Sequence, residues 1–206
     1  MAKYLIVVDY QYDFVSGALG NLRARDIYWN ILDKLRNRIS EGWQVIFTFD
    51  THGENYLETQ EGRQLPVIHC LEGSNGWKIY RDIDEAAKKL LEEFCKEHTE
   101  NDDGIECGPL LVKKYTFGYD EWKYLIPDAE EIEVVGVCTD ICVVSNVLIL
   151  KAQFPEIRIS VDANCCAGVS VESHKSALST MKACQVNVYH GKPHKANNDE
   201  CDDIMY

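Results

Sequence analysis

The sequence predicts an α/β protein of three layers, α/β/α, built on a mostly parallel central sheet. Apolar runs of strand length alternate along the chain with longer stretches of helical period, the pattern of strand–helix–strand crossovers. Several runs are continuously apolar, as in strands covered on both faces. Reactive residues also stand just past the runs, at Asp9, Asp50, Lys113 and Lys114, Cys138 to Cys142, and Asp162. Folds of this class collect their functional groups at the carboxyl ends of the strands.

Taken in order, Tyr4 to Val8 is the first strand, closed by Asp9. From Asp26 to Glu41, Ile27, Tyr28, Ile31, Leu32, Leu35 and Ile39 recur at helical spacing, and Gly42 supplies the stop. Trp43 to Phe49 reads as a strand ending in Asp50. Residues 51–79 hold no sustained period and contain Gly53, Gly62, Pro66, Gly73 and Gly76. An excursion this long inside a compact domain is usually functional. Ile83, Ala86, Ala87, Leu90, Leu91, Phe94 and Cys95 give the next helix, broken by Asn101-Asp102-Asp103-Gly104. Short strands follow at Leu110–Lys113 and Ile132–Val137, the latter running into an apolar helix from about Ile141 to Lys151. Ile157–Val161 is a strand with some alternation, Val171–Cys184 a helix with Ala177, Leu178 and Met181 inward, and Val186–Tyr189 a last strand.

A chain of 206 residues suits one domain with a sizeable core. Apolar residues at 46% and charged ones at 27% exclude a disordered or collagen-like chain. With 21 Lys+Arg against 34 Asp+Glu the net charge is −13, which disfavours nucleic acid and anionic membrane as partners. Met1-Ala2-Lys3 precedes only five apolar residues, too few for the apolar stretch of a signal peptide, and no apolar run approaches the roughly 18–20 residues of a membrane span. The nine cysteines are therefore expected as free thiols in a cytoplasmic protein, with Cys165-Cys166 as two packed thiols rather than a vicinal disulfide.

Cys142 falls on the first turn of a predicted helix, where unpaired N–H groups and the helix dipole favour a thiolate and could hold an oxyanion. Helix N-termini also host inert thiols, so position alone leaves both readings open. Asp9 and Lys114 stand at two other strand ends, where a carboxylate and an ammonium could serve a nucleophilic thiol; a cap, an ion pair or plain exposure would account for either alone. Asp50, His52, Glu61 and His69 form a mixed nitrogen and oxygen set of the kind that suits zinc, manganese or iron, with positions left open for water or substrate. Ordinary loop histidines are the competing account. Tyr12, Trp77, Tyr115 and Trp122 could wall a flat substrate or belong to the core.

Together these clusters resemble the isochorismatase-like cysteine hydrolase superfamily, and within it the nicotinamidase/pyrazinamidase branch. The family's opening pattern D-x-Q-x-D-F is present as Asp9-Tyr10-Gln11-Tyr12-Asp13-Phe14, followed by Gly17 and Leu19; its nucleophile motif G-x-x-T-D-x-C-V as Gly136 to Val143; and its closing pattern as Asp162-Ala163, Ala167-Gly168, Ser170, Glu172, His174, Ala177-Leu178 and Met181. The match runs from about residue 3 to residue 189. It implies a Rossmann-like hydrolase domain over 1–189, with 51–79 as the metal-site excursion; by its polar composition 190–206 is expected as a tail, solvated rather than metal-binding through His194 and Cys201.

The resemblance further implies an Asp9–Lys114–Cys142 triad and a cis peptide between Val137 and Cys138 that turns the Cys138 and Cys142 N–H groups into an oxyanion hole. Lys114 is favoured over Lys113 by its spacing to Phe117 and Gly118. A divalent metal, zinc above manganese or iron, is implied on Asp50, His52, Glu61 and His69, with Glu54 and Glu58 as competitors for the third place. Phe14, Leu65 (where an aromatic is commoner), Phe117 and Val137 are implied as substrate contacts. The implied activity is hydrolysis of nicotinamide to nicotinate and ammonia through a thioester, within NAD metabolism and pyridine nucleotide salvage, in a self-associating cytoplasmic enzyme. A same-fold cysteine hydrolase of another small amide, carbamoyl or ureide compound is the nearest alternative, and a non-catalytic metabolite-binding or redox-sensing module the next.

Overall fold

A computed structural model describes residues 2–98 and 107–194. Six strands, β1 (Ala2–Val8), β2 (Gln44–Asp50), β3 (Leu110–Lys114), β4 (Ala129–Val137), β5 (Arg158–Ala167) and β6 (Asn187–Tyr189), form one sheet in the order β3-β2-β1-β4-β5-β6. Every neighbouring pair is parallel. The strands expected as continuous apolar runs are the most enclosed, with Leu5 to Val8 and Ile132, Val134, Val135 and Val137 fully buried.

Helices α1 (Tyr28–Ser40) and α2 (Ile83–His98) pack against each other on one side of the sheet, and α3 (Val144–Gln153) and α4 (Val171–Ala183) against each other on the opposite side. The first predicted helix, Asp26 to Glu41, is α1, and it is preceded by a short helix over Leu22–Asp26 that the spacing did not indicate, which stops at Ile27, the residue that caps α1. Gly42 ends α1 as expected: at φ +80° it turns the chain so that the Trp43 N–H reaches the Arg38 carbonyl. At the start of α4, Ser170 and Ser173 cap each other reciprocally.

The strand order reverses direction between β1 and β4, which makes the crevice beyond their carboxyl ends the natural ligand site. Those ends carry Asp9 and Cys138. Asp162, expected at a strand end, is instead inside β5: Val134 pairs with Val161 but Gly136 with Cys166, so a bulge carries β5 on to Ala167. There Asp162 is ion-paired to Lys34 at 2.9 Å and takes no part in the crevice.

Two further expectations are revised. Cys95 and Cys107 are joined by a disulfide between the last turns of α2 and the approach to β3, so the cysteines are not all free thiols. Their separation of 12 residues gave no sign of this, because the helix break lies between them. Cys70, Cys138, Cys142, Cys165, Cys166 and Cys184 are free, the vicinal pair included. The start of the tail also lies against the body of the protein. Gly191 N–H donates to Asp162 at 2.8 Å, and the His194 ring stacks on Trp29. Residues 195–206, with Cys201, lie outside the described residues. No described helix is long and apolar enough to cross a membrane.

Candidate active site and metal centre

Asp9 follows β1 in the left-handed region, at φ +46°, which turns its side chain into the crevice. It is fully buried. Thr48, on the neighbouring strand, donates to Asp9 Oδ1 at 2.6 Å and accepts from the Asp9 N–H at 3.1 Å, fixing the carboxylate from both ends. Lys114 is the last residue of β3 and only 2% exposed. Its ammonium lies 2.6 Å from Asp9 Oδ2, 3.3 Å from Asp50 Oδ1 and 3.8 Å from Cys142 Sγ, and donates to the Thr116 carbonyl at 3.1 Å. Lys113 points outward to Glu72. The crevice thus brings Asp9, Lys114 and Cys142 together and leaves Lys113 out.

Cys142 is not on the first turn of an α-helix. Thr139–Val143 forms a single wide π-helical turn between β4 and α3, an insertion of the kind found at functional sites. Asn146, fully buried one turn later, donates to the Cys142 carbonyl at 2.8 Å and the Phe117 carbonyl at 3.2 Å. Thr139 is hydrogen-bonded to His174 at 2.8 Å. The Val137–Cys138 peptide is cis.

Burial dominates the electrostatics. It pushes the Cys142 thiol well above its ordinary pKa, and the neighbouring Asp9 charge adds to this against the opposing pull of Lys114. The resting sulfur is therefore a thiol, where the helix position had suggested a thiolate. Burial likewise raises Asp9, opposed by Lys114, so the carboxylate is a stronger proton acceptor than an ordinary aspartate. The Lys114 ammonium is held charged: its own burial is outweighed by Asp9, Cys142 and Asp50.

Asp50 ends β2, and the chain then departs and returns, so that His52 and His69 lie side by side through the backbone bond from the His52 N–H to the Cys70 carbonyl at 3.0 Å. Asp50, His52 and His69 present ligand atoms all within 4.8 Å of one another, every one buried. His52 Nε2 is 2.9 Å and His69 Nε2 3.5 Å from Asp50 Oδ2. Glu61 stands on the outer side with Oε1 at 3.8 Å from His52 Nε2 and 4.0 Å from His69 Nε2. A cation fits this set. His52 Nε2 is buried and, despite its closeness to Asp50 Oδ2, makes no aligned hydrogen bond, and His69 Nδ1 is engaged by the Val67 carbonyl at 2.7 Å, which leaves His69 Nε2 as the free lone pair. Buried polar atoms without partners are rare and call for one.

A family model for the isochorismatase domain matches residues 126–191. A Bacillus subtilis protein named an uncharacterized isochorismatase family protein PncA is 30% identical over 186 residues, 87% of this chain and 93% of its own length. The chain belongs to the isochorismatase family. Among solved structures it is similar to nicotinamidase/pyrazinamidase PncA from Bacillus subtilis, with a TM-score of 0.74 at 24% identity over 92% of this chain and all of that one. Pyrazinamidase of Pyrococcus horikoshii in complex with zinc gives a TM-score of 0.72 at 19% identity, over 93% of this chain and 100% of its own. N-carbamoylsarcosine amidase from Thermoplasma acidophilum gives 0.69 at 15% identity, over 95% and 100%. These three share the α/β fold.

Within this family frame the four expected substrate contacts separate. Phe14 is nearly buried, its ring 5.6 Å from that of His69. Leu65 and Phe117 are exposed, at 38% and 44%, and Val137 is enclosed in the core. Of the aromatic residues weighed as walls, Trp122 is core, Tyr115 is open to solvent, Tyr12 packs on Tyr80, and Trp77 lies against Phe49 while donating to Thr51. Sequence reasoning missed Thr48 and Tyr56. Tyr56 packs against both His52, at 4.6 Å, and His69, at 5.0 Å, and is pinned through its hydroxyl to the Leu65 carbonyl. Neither belongs to a motif, and β2 is buried on both faces from Val45 to Asp50, so no alternation marks Thr48.

Proposed function

We propose that this protein is a metal-dependent cysteine amidohydrolase that converts nicotinamide to nicotinate and ammonia. The observation that carries the reading is the sharing of one ammonium, Lys114, between the carboxylate beside Cys142 and Asp50 of the cation cluster. A thiol site and a metal site this close suit a small substrate with a ligating ring nitrogen at one end and a carboxamide at the other.

In this course Asp9 takes the Cys142 proton as sulfur attacks the amide carbon, and Lys114 balances the charge left on the pair. The carbonyl oxygen becomes an oxyanion facing the Cys138 and Cys142 N–H groups. Asp9 then gives its proton to the departing nitrogen, and ammonia leaves a nicotinoyl thioester on Cys142. A water gives a proton to Asp9 as it attacks that thioester; collapse breaks the C–S bond, the Asp9 proton returns to sulfur, and the released nicotinic acid loses its remaining proton to solvent as nicotinate. Asp50, His52, Glu61 and His69 would hold the metal, zinc foremost, which when bound supplies a Lewis acid for the pyridine nitrogen. Burial pushes both Asp9 and Cys142 toward their protonated forms, which suits a carboxylate that takes its proton from a neutral thiol.

The rival is hydrolysis of a carbamoyl or ureide compound by the same thiol, which has no need of the cation cluster. A substrate panel run on zinc-loaded and metal-stripped protein decides between them. Ammonia from nicotinamide, lost on stripping and restored by zinc, is expected; metal-independent turnover of a carbamoyl compound with none of nicotinamide would replace this reading by its rival.

A further inference from the structure

β1 stops at Val8, and its pairing with β2 reaches only to Val7 and Phe47. Asp50 lies three residues further along β2, where its peptide groups on the β1 side have no strand beside them. The side chain of Gln11 occupies that place. Its Oε1 accepts the Asp50 N–H at 2.8 Å, and its Nε2 donates to the Asp50 carbonyl at 3.0 Å and to the Trp77 carbonyl at 2.8 Å. A primary amide carries the same donor and acceptor as a peptide, so Gln11 continues the sheet by one rung after the backbone has left it. It is fully buried and its amide hydrogens are both used.

Two residues on, Asp13 does the same for the returning arm of the excursion. Its Oδ2 accepts the Cys70 N–H at 2.8 Å and its Oδ1 the Ala18 N–H at 3.2 Å. Gly76 lies so close that an added Cβ would come within 2.0 Å of this carboxylate. Cys70 is buried at φ +46°, next in sequence to His69, and its carbonyl receives the His52 N–H.

We infer that Gln11 and Asp13 are positioning residues for the metal centre: Gln11 fixes Asp50, and Asp13, through Cys70, fixes His52 and His69. The segment that supplies the proposed general base thus also sets the spacing of three metal ligands relative to that base. This rests on the proposed metal-binding reading of Asp50, His52, Glu61 and His69. Its ligand is the divalent cation, and its effect is on affinity, since outer-shell partners of metal ligands typically contribute about 10- to 100-fold.

The test compares zinc affinity, by competition with a chromogenic chelator, in wild type, Gln11→Met, Gln11→Glu and Tyr10→Phe. Tyr10 sits in the same segment and loses a buried hydrogen bond to the Ala24 carbonyl, yet touches no proposed ligand, so it controls for lost stability. Gln11→Met is expected to weaken zinc binding about 10- to 100-fold, with Tyr10→Phe unchanged in affinity though less stable. Gln11→Glu keeps the acceptor for the Asp50 N–H but loses both donors, and is expected to weaken binding as well; it carries the test where Gln11→Met does not fold. Wild-type affinity in a folded Gln11 variant, or equal weakening in Tyr10→Phe, overturns the inference. Absence of zinc binding by wild type overturns the metal reading itself, a separate outcome.

Discussion

Lys114 touches Asp50: the ammonium nitrogen lies 3.3 Å from Oδ1, on the far side of its 2.6 Å contact with Asp9. One cation therefore neutralises both a proposed general base and a proposed metal ligand, and the two halves of the site are electrostatically one. This explains how so many charged groups are tolerated in a closed crevice, where each alone would be costly to bury.

Asp9→Asn removes the proton carrier but keeps the shape and the Thr48 contact. It is expected to lower kcat about 10²- to 10⁴-fold, with zinc content unchanged. Lys114→Met should do more, because it leaves Asp9 and Asp50 buried without their shared counter-charge. Its activity loss should come with reduced thermal stability, read by parallel ammonia-release and melting measurements.

Glu61 is the one glutamate of its segment placed against both histidines, at 3.8 and 4.0 Å. Glu61→Ala is expected to weaken zinc binding measurably, and His52→Ala to abolish stoichiometric binding. Glu54→Ala and Glu58→Ala should match wild type. Metal analysis after gel filtration of the four variants checks the assignment.

Away from the crevice, Glu133 is fully buried and receives Arg38 at 2.5 Å, Lys34 at 3.0 Å and the Tyr189 hydroxyl. Glu133→Ala removes the carboxylate that Arg38 and Lys34 share, leaving them Glu41 and Asp162, and is expected to cost about 1–3 kcal/mol in urea unfolding. Burial pushes the Lys34 ammonium down, but Glu133, Tyr189 and Asp162 outweigh it and raise its pKa above that of an ordinary lysine. A raised folded value means that the Lys34 contribution is fully present below the ordinary lysine pKa of about 10.4 and is lost as pH climbs through the folded value. The penalty of Lys34→Met should therefore be flat between pH 6 and 9 and shrink only in strongly alkaline solution.

The Cys95–Cys107 disulfide has a direct chemical signature. Denatured protein prepared without reductant should show two fewer thiols with a chromogenic thiol reagent than the same protein after reduction. Cys95→Ser should abolish the difference, and Cys70→Ser should lower both readings equally.

Much of the fold was legible because its strands are buried on both faces and so announce themselves as apolar runs. The crevice was legible because parallel sheets expose reactive groups at one end, which drew attention to Asp9, Asp50, Lys113 and Lys114, and Cys138 to Cys142; the family resemblance then selected Lys114 and Cys142. What escaped reading was what depends on packing rather than pattern. The bulge that carries β5 past Asp162 has no local sequence signature. The disulfide joins cysteines on either side of a helix break. Thr48 and Tyr56 act through contacts that only the folded chain creates. The thiol state of Cys142 escaped for the same reason, since a helix position suggests a thiolate while complete enclosure beside Asp9 reverses that preference.

The most direct measurement is ammonia release from nicotinamide by zinc-loaded wild type and Cys142→Ala side by side, with circular dichroism and zinc content recorded for both. Turnover by wild type and a loss of about 10³-fold or more in a folded, zinc-bound Cys142→Ala is the expected result. Comparable ammonia release by the two proteins, or none from wild type, would contradict it.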